Sequence, residues 1–587
     1  MLKMPRAITG SFLVVIFLTA AVGCTSKNTK EPANTLHLVS IAKIKGLDPA
    51  QTNDLYSARE TARVYEGLLQ YHYLKRPYVL IPALAESMPE ISKDGRTLIF
   101  HIKKGVLFQD DPSFKTTLGK GREVTAEDFV YSFKRIADLK NTSPNWWLFE
   151  DKIVGLNDWR DSTKLEPDYS KPVEGLKALD RYTFQVKLIK RSAQFLFVLA
   201  MPQTSVVPHE AVSHYGKEFI NHPVGTGAYR LGDHSQSNRF IWEKNPTYRM
   251  ELFPSEGEAS DKKEGYLADA GKPLPLTDRI VLQIYEEDQP RWLNFMAGNV
   301  DLISIPKDNF TQAIDENKEL SSELKAKGMQ LSKSPELDVT HFGFNMVDPL
   351  LGKNKLLRQA LSLAYDTGPE IDLFYNGRAI PAQGPIPPGL SGYDPRFKNP
   401  FMQHNLTKAK ELLAQAGYPD GKGLPVIEYY TLSDSSTRQR TEYAQKQFSA
   451  LGVKLNVNTN SWPEFDSAIK NRKAQMWGIA WSADYPDAEN FLQMFYGKNV
   501  SPGPNDANYV NPEFDRLYEK SLSLYEGPER TAIYRKMVEI VVEDAPWIFG
   551  VHRTAFEITQ KWVKGYKYHA FDLGMAKYYG IDTALKK

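Results

Sequence analysis

Residues 477–487 read Trp477-Gly478-Ile479-Ala480-Trp481-Ser482-Ala483-Asp484-Tyr485-Pro486-Asp487. The first half is apolar and has strand composition. The second is an acidic loop broken by Pro486, because proline cannot donate to a β-ladder. A carboxylate at a strand end, beside an indole and a phenol, has two readings. Asp484 either caps the helix that begins near Asp487, as aspartates commonly do, or captures a cationic group in a partly desolvated cleft, where an ion pair is less screened than in water. Composition alone favours the cap.

Outward from this stretch, short β-rich runs alternate with helical ones, the pattern of an α/β or α+β chain. Strands are expected at 36–41 and 97–102, and helices at 57–69, 355–365, 407–416, 437–451, 512–524 and 529–543. Gly417 stops the helix before it. Thr125-Ala126-Glu127-Asp128 is a capping box opening a helix over 125–134. Segments 140–172 and 254–275 read as loops or insertions, and no repeat of 20–50 residues is visible, which disfavours solenoids and propellers.

The chain has 587 residues, 73 Lys+Arg against 71 Asp+Glu and one cysteine. Its length implies several domains. At 42% hydrophobic and 25% charged it is an ordinary globular composition, neither disordered nor polytopic. A formal charge of only +2 argues against a nucleic-acid partner. One cysteine excludes an internal disulfide and multi-cysteine metal sites.

That cysteine, Cys24, ends a leader. Lys3 and Arg6 form a positive n-region, and the apolar run after them is shorter than a membrane span. Residues 1–23 therefore read as a signal peptide. Ala21, Val22 and Gly23 before Cys24 resemble a bacterial lipobox, with Ala21 where that pattern favours leucine. The resemblance implies cleavage before Cys24, acylation of its sulfur, and a polar tether over 24–34. Lys3 and Arg6 supply the whole basic excess, so the remaining chain carries 71 basic and 71 acidic residues.

Catalytic and metal motifs are missing. In His209-Glu210-Ala211-Val212-Ser213-His214 the second histidine falls at i+5, about 40° off the face a zinc helix needs, so these residues read as a helix start after Pro208. Gly225-Thr226-Gly227 lacks the third glycine of a dinucleotide fingerprint, and no phosphate loop or nucleophile elbow occurs. No catalytic residue, metal ligand or cofactor is expected.

A series of short motifs runs in order along the chain. Gly46-Leu47-Asp48-Pro49 and Val64-Tyr65-Glu66-Gly67-Leu68-Leu69 open it. Pro82-Ala83-Leu84-Ala85-Glu86-Ser87, Asp94-Gly95-Arg96-Thr97 and Thr125-Ala126-Glu127-Asp128-Phe129-Val130-Tyr131-Ser132 follow. Val224-Gly225-Thr226-Gly227-Ala228-Tyr229, Lys244-Asn245-Pro246, Phe344-Asn345 and Leu357-Arg358-Gln359-Ala360-Leu361 come next, before Trp481-Ser482-Ala483-Asp484-Tyr485 and Asn490-Phe491-Leu492. In this order the series resembles the family 5 extracellular solute-binding proteins, the oligopeptide- and dipeptide-binding lipoproteins of ABC importers.

The resemblance implies an α/β, bilobal, periplasmic-binding-protein-like fold of the large type II, cluster C-like kind, with mixed sheets, three domains and a hinge that closes on ligand without chemistry. Domain I would comprise 35–70, 206–337 and 548–587, domain II 71–205, and domain III 338–547, with lobe crossings near 339–344 and 550–554. Asp484 would hold a peptide's α-ammonium. Ala480, Trp481 and Ser482, with Tyr485, would form the cleft strand. Val39, Ser40, Ile41 and Ala42 would form the opposing one, the two sandwiching the peptide by main-chain hydrogen bonds. Arg438 and Arg440 are candidates for the α-carboxylate. Another family position for an arginine falls at Gly478, and the positions of a cystine found in some relatives fall near Asp338 and Ser482. The implied protein is a monomeric receptor in a bacterial cell envelope, periplasmic or outward-facing and held to the membrane by its N-terminal lipid. It would pass peptides to the transmembrane subunits and cytoplasmic ATPases of an ABC permease. The alternative is the same fold binding a nickel chelate, a sugar or another small molecule.

Overall fold

The computed structural model describes residues 31–76, 78–192, 194–233, 238–524 and 527–586. Cys24, the leader and most of the tether lie outside them.

One group of sheets is built from the chain up to Pro335 together with its C-terminal segment. The first strand, Thr35–Ser40, pairs in parallel with Arg279–Ile284, which continues antiparallel to Arg239–Lys244 and Tyr229–Asp233. The first strand is thus an edge. A second sheet sets Leu302–Ser304 and Gln330–Pro335 on either side of Val551–Thr559. A third, formed by Glu90–Ile91, Thr97–His101, Thr183–Lys187 and Leu176–Asp180, packs against the helix Ala126–Ala137. That helix begins with the expected capping box, in which Thr125 and Asp128 satisfy each other's backbone donors.

The other lobe is one five-stranded mixed sheet, in spatial order Leu455–Asn460, Ile427–Leu432, Met476–Ser482, Asp338–Phe344 and Trp547–Phe549. Asp338–Phe344 is buried at every position, as a central strand covered on both faces must be. Helices Lys355–Ala364, Leu406–Gln415, Ser435–Ser449, Pro512–Leu522 and Pro528–Asp544 belong to this lobe. All lie within two residues of their expected bounds. The first helix, Leu55–Val64, stops five residues short of expectation, because Leu69–Tyr71 turns back as a strand paired with Leu80–Pro82. The expected loop 140–172 contains a helix, Leu156–Ser162, whose Trp159 is buried; its few residues gain their order from packing, not propensity.

Two segments join the lobes side by side. Gln330–Pro335 runs on into Asp338–Phe344, and Trp547–Phe549 runs on into Val551–Thr559. Gly550 N–H donates to Thr340 O at 2.8 Å, Val551 N–H to Thr340 Oγ1 at 2.8 Å, and Glu336 N–H to Arg553 O at 3.0 Å. A side chain at 550 would run into Thr340 Oγ1, so glycine permits this close crossing. Asp338 accepts the Arg553 backbone N–H at 3.1 Å and pairs with its guanidinium.

Candidate ligand-binding cleft

The lobes also touch away from the hinge. Lys45 Nζ lies 2.9 Å from Asp466, and the ring of Tyr56 meets Trp462 edge to face at 5.9 Å. Ser435 Oγ donates to Glu287 at 2.6 Å. Among the described residues, several polar groups of both lobes lack a protein partner or a counter-charge.

Asp484 is the clearest of these. It follows the strand Met476–Ser482 and is half-buried. Its backbone N–H donates to Asn490 Oδ1 at 2.9 Å, Asn490 Nδ2 donates to Asp484 Oδ2 at 3.0 Å, and the indole of Trp481 donates to the same Asn490 oxygen at 3.1 Å. One amide therefore fixes both Asp484 and Trp481. Among the described residues no cation pairs with Asp484. Burial pushes its carboxyl up to about 6, against the Asn490 hydrogen bond and with help from Glu489. Protein surrounds this carboxylate, yet solvent still reaches it. Tyr71, from the first lobe, has a buried hydroxyl without a partner among the described residues. Its ionisation is pushed well up by burial and then by Asp484, so the two confront each other across the lobes.

Asp484 does not cap the helix Glu489–Leu492, whose N-cap position is Ala488. Asp487 Oδ1 accepts the Glu489 N–H at 2.9 Å, and the same carboxylate pairs with Arg530 at 2.8 Å and accepts from the Tyr534 hydroxyl at 2.9 Å. Tyr485, expected in the cleft, is instead 2% exposed. Its ring stacks on Phe197 with centroids 5.7 Å apart and its hydroxyl donates to Glu489. Asp484 and Tyr485 both lie past the end of the strand, in the bend 484–487, where packing on Phe197 and not strand alternation sets the direction of the tyrosine ring.

Backbone parity defines two open edges. Ala483 N–H donates to Leu337 O at 2.8 Å. The odd-numbered residues of that strand therefore bond to Asp338–Phe344, and Gly478, Ala480 and Ser482 direct their main-chain groups the other way. The neighbouring strand on that side, Ile427–Leu432, pairs only as far as Trp477. In the first lobe, Ser40 O accepts from Tyr285 N–H at 2.9 Å, so Val39 and Ile41 point their groups away from the sheet. Ser40 and Ala42 turn inward: both are buried, and the Ser40 hydroxyl donates to Ala42 O at 2.6 Å.

Arg440 is half-buried on Ser435–Ser449 and donates to the Tyr375 hydroxyl at 3.0 Å and to Thr437 Oγ1 at 3.2 Å, with no carboxylate partner among the described residues. Arg438 is exposed, two residues from Arg440 and so about 200° round the helix from it. At Gly478 any side chain would strike the Tyr429 hydroxyl, which rules out an arginine there without repacking. Asp338 and Ser482 are register partners, but Asp338 spends its carboxylate on Arg553. No group of three or more His, Cys, Asp or Glu among the described residues has metal-binding geometry, and no helix among them is long and apolar enough to cross a membrane.

The profile described as "Bacterial extracellular solute-binding proteins, family 5 Middle" matches residues 79–503, well over half of the chain. The chain belongs to this family. Relatives of this solute-binding protein align along nearly its whole length. It is 28% identical over 566 residues to "Heme-binding protein A" of Haemophilus influenzae, covering 94% of this chain and 93% of that one. It is 26% identical over 498 residues to "Dipeptide-binding protein" of Escherichia coli, covering 83% of each. Its fold matches the "ABC transporter-associated periplasmic binding protein DppA" of Helicobacter pylori, solved with the peptide STSA, at a TM-score of 0.76 and 23% identity, covering 93% and 98% of the two chains. The bilobal fold of this solute-binding protein is thus that of the periplasmic binding proteins, as its sheets indicate.

Sequence reasoning singled out Asp484 and Trp481 but gave no role to Asn490, although the Asn490-Phe491-Leu492 motif was visible. Tyr71 carries no sequence signal of its own.

Proposed function

We propose that this solute-binding protein is the receptor of an ABC importer and binds short peptides between its lobes, without chemistry. The observation that carries this reading is Asp484: a surrounded, solvent-reachable carboxylate, oriented by Asn490 and lacking any cation among the described residues. An uncompensated charge in such a site is costly, and a ligand ammonium supplies the missing partner. The open edges at Val39 and Ile41 and at Ala480 and Ser482 offer main-chain donors and acceptors to an extended ligand, a mode that reads backbone and not side chains. Trp481 and Ser482 line the approach to Asp484, and Arg440, with Arg438 as the outer alternative, receives the α-carboxylate. Relatives named for dipeptide binding and a related structure holding a peptide support the same ligand class.

In this reading the division into 35–70 with 206–337 and 548–587, 71–205, and 338–547 describes the bodies that move about the hinge. Cys24 carries acyl chains that hold the receptor at the envelope membrane beside its permease, more than one chain being needed for a stable anchor. Calorimetric titration of refolded, ligand-free protein with alanine di- to pentapeptides tests the assignment. Saturable binding, abolished by N-terminal acetylation, is expected. Equal affinity for acetylated peptides would remove Asp484 from the role given to it.

A further inference from the structure

Arg59 and Arg63 stand one turn apart on the helix Leu55–Val64 and have opposite fates. Arg63 is 7% exposed and locked onto Glu60 through two hydrogen bonds of 2.7 and 2.9 Å. The Arg59 side chain is 41% exposed and makes no hydrogen bond among the described residues. Its nearest charge is Asp572, with Nε to Oδ2 at 3.7 Å, and Nε itself is buried without a partner. Solvent reaches this side chain while its Nε is buried, so it lines a concavity and not the outer surface.

The position of Arg59 identifies the concavity. Tyr56, one turn earlier on the helix, packs against Trp462 of the opposite lobe, so this part of the helix is turned toward the other lobe. Glu557 lies on Val551–Thr559, the strand that leaves the hinge. Two carboxyls stand near Arg59. Asp572 also accepts the Tyr579 hydroxyl at 3.1 Å, and burial pushes the Glu557 carboxyl up to about 8, leaving it largely neutral at pH 7.

We propose that Arg59 is a carboxylate-binding subsite on the first lobe of the cleft, separate from Arg440 on the second. It takes a ligand carboxylate, from an acidic side chain or from the peptide's C-terminus, in the bidentate geometry that a free guanidinium fork favours. The inference rests on the peptide reading above, and it narrows the ligand class to peptides whose carboxylates can reach both lobes.

The test compares wild type with Arg59→Gln by calorimetry. The ligands are alanine tri- to pentapeptides in which each position in turn is Glu or Gln, each with a free or an amidated C-terminus. If the carboxylate comes from a side chain, Glu at one position binds about tenfold tighter than Gln, a discrimination typical of one charged hydrogen bond. Arg59→Gln then abolishes that preference and leaves the all-alanine peptides within about twofold. If it comes from the terminus, Arg59→Gln weakens every free acid about tenfold and leaves the amides unchanged. Arg59→Lys, which keeps the charge but loses the fork, gives a partial loss and serves if the glutamine variant does not fold. Unchanged Glu/Gln and acid/amide ratios in both variants, with alanine peptides still bound, overturn the subsite alone. Failure of wild type to bind any peptide overturns the peptide reading and the subsite together.

Discussion

Buried charge is handled differently in two regions of this molecule. Inside the first lobe, Arg249 donates to Glu66 at 2.8 and 3.0 Å and to Glu251 at 3.0 Å, and Lys577 donates to Glu251 and to Gln70, each at 2.8 Å. Glu251 further accepts from Gln70 at 2.9 Å and from the hydroxyls of Tyr248 and Tyr578, and Glu66 from Thr226 at 2.9 Å. Burial alone would raise the Glu251 carboxyl, but Lys577 and Arg249 hold it well below the usual range. Along the cleft, by contrast, among the described residues Asp484 has only an amide, Arg440 two hydroxyls, and Arg59 no hydrogen bond and a single carboxylate at 3.7 Å. The first arrangement is complete without a ligand and serves the fold. The second is incomplete, and its missing partners describe a zwitterion.

Glu251→Gln should have the largest effect. It strips the shared carboxylate from two buried cations, so denaturant unfolding of ligand-free protein should show a loss of about 3–5 kcal/mol. A loss under about 1 kcal/mol would mean the network is not structural. Asp484→Asn should invert the pattern, with unchanged or slightly raised stability but peptide affinity lower by about 2–5 kcal/mol. Equal losses of stability at the two sites would erase the distinction between them.

The pH dependence should also split. The Asp484 carboxyl is raised from 3.8 to about 6 in the ligand-free fold. Its contribution to stability is therefore full below the lower value and is lost as pH rises through the upper one. Peptide affinity should move the other way, rising over the same window as the carboxylate forms. Glu336, Glu370 and Glu557 are raised too, so the measurement is the difference between wild type and Asp484→Asn; identical profiles would rule out Asp484 as the titrating group. Smaller again, Arg440→Gln should cost about 1–3 kcal/mol of affinity for free-acid peptides and little for amides, while Arg438→Gln changes neither by more than about 0.5 kcal/mol. Calorimetry on the two variants ranks the arginines, and a larger effect at 438 would reverse their roles.

Most of the fold was legible because its signals are local. Thr125 and Asp128 cap a helix wherever they stand three apart, and five helices of the second lobe follow apolar periodicity. The helix at Leu156–Ser162 was hidden, since its order comes from burying Trp159 and not from its own sequence. In the site, the strand end left Asp484 two readings and the family resemblance chose between them, while its relation to Asn490 appears only when the loop folds back across six residues. Tyr485 looked like a neighbour in function because it is one in sequence, but beyond the strand end its ring is buried by stacking on Phe197. Arg59 and Arg63 look alike in the sequence, and only the opposite lobe distinguishes them.

The crossing at Gly550 has a mechanical consequence. A body hung from one thread can swivel in any direction. Here two threads pass side by side, pinned to each other by Gly550, Val551 and Glu336 backbone donors, and the short strand Ala379–Pro381 lies along one of them. Such a pair resists twist and bends about a single line, so each closure returns the two lobe surfaces to the same alignment.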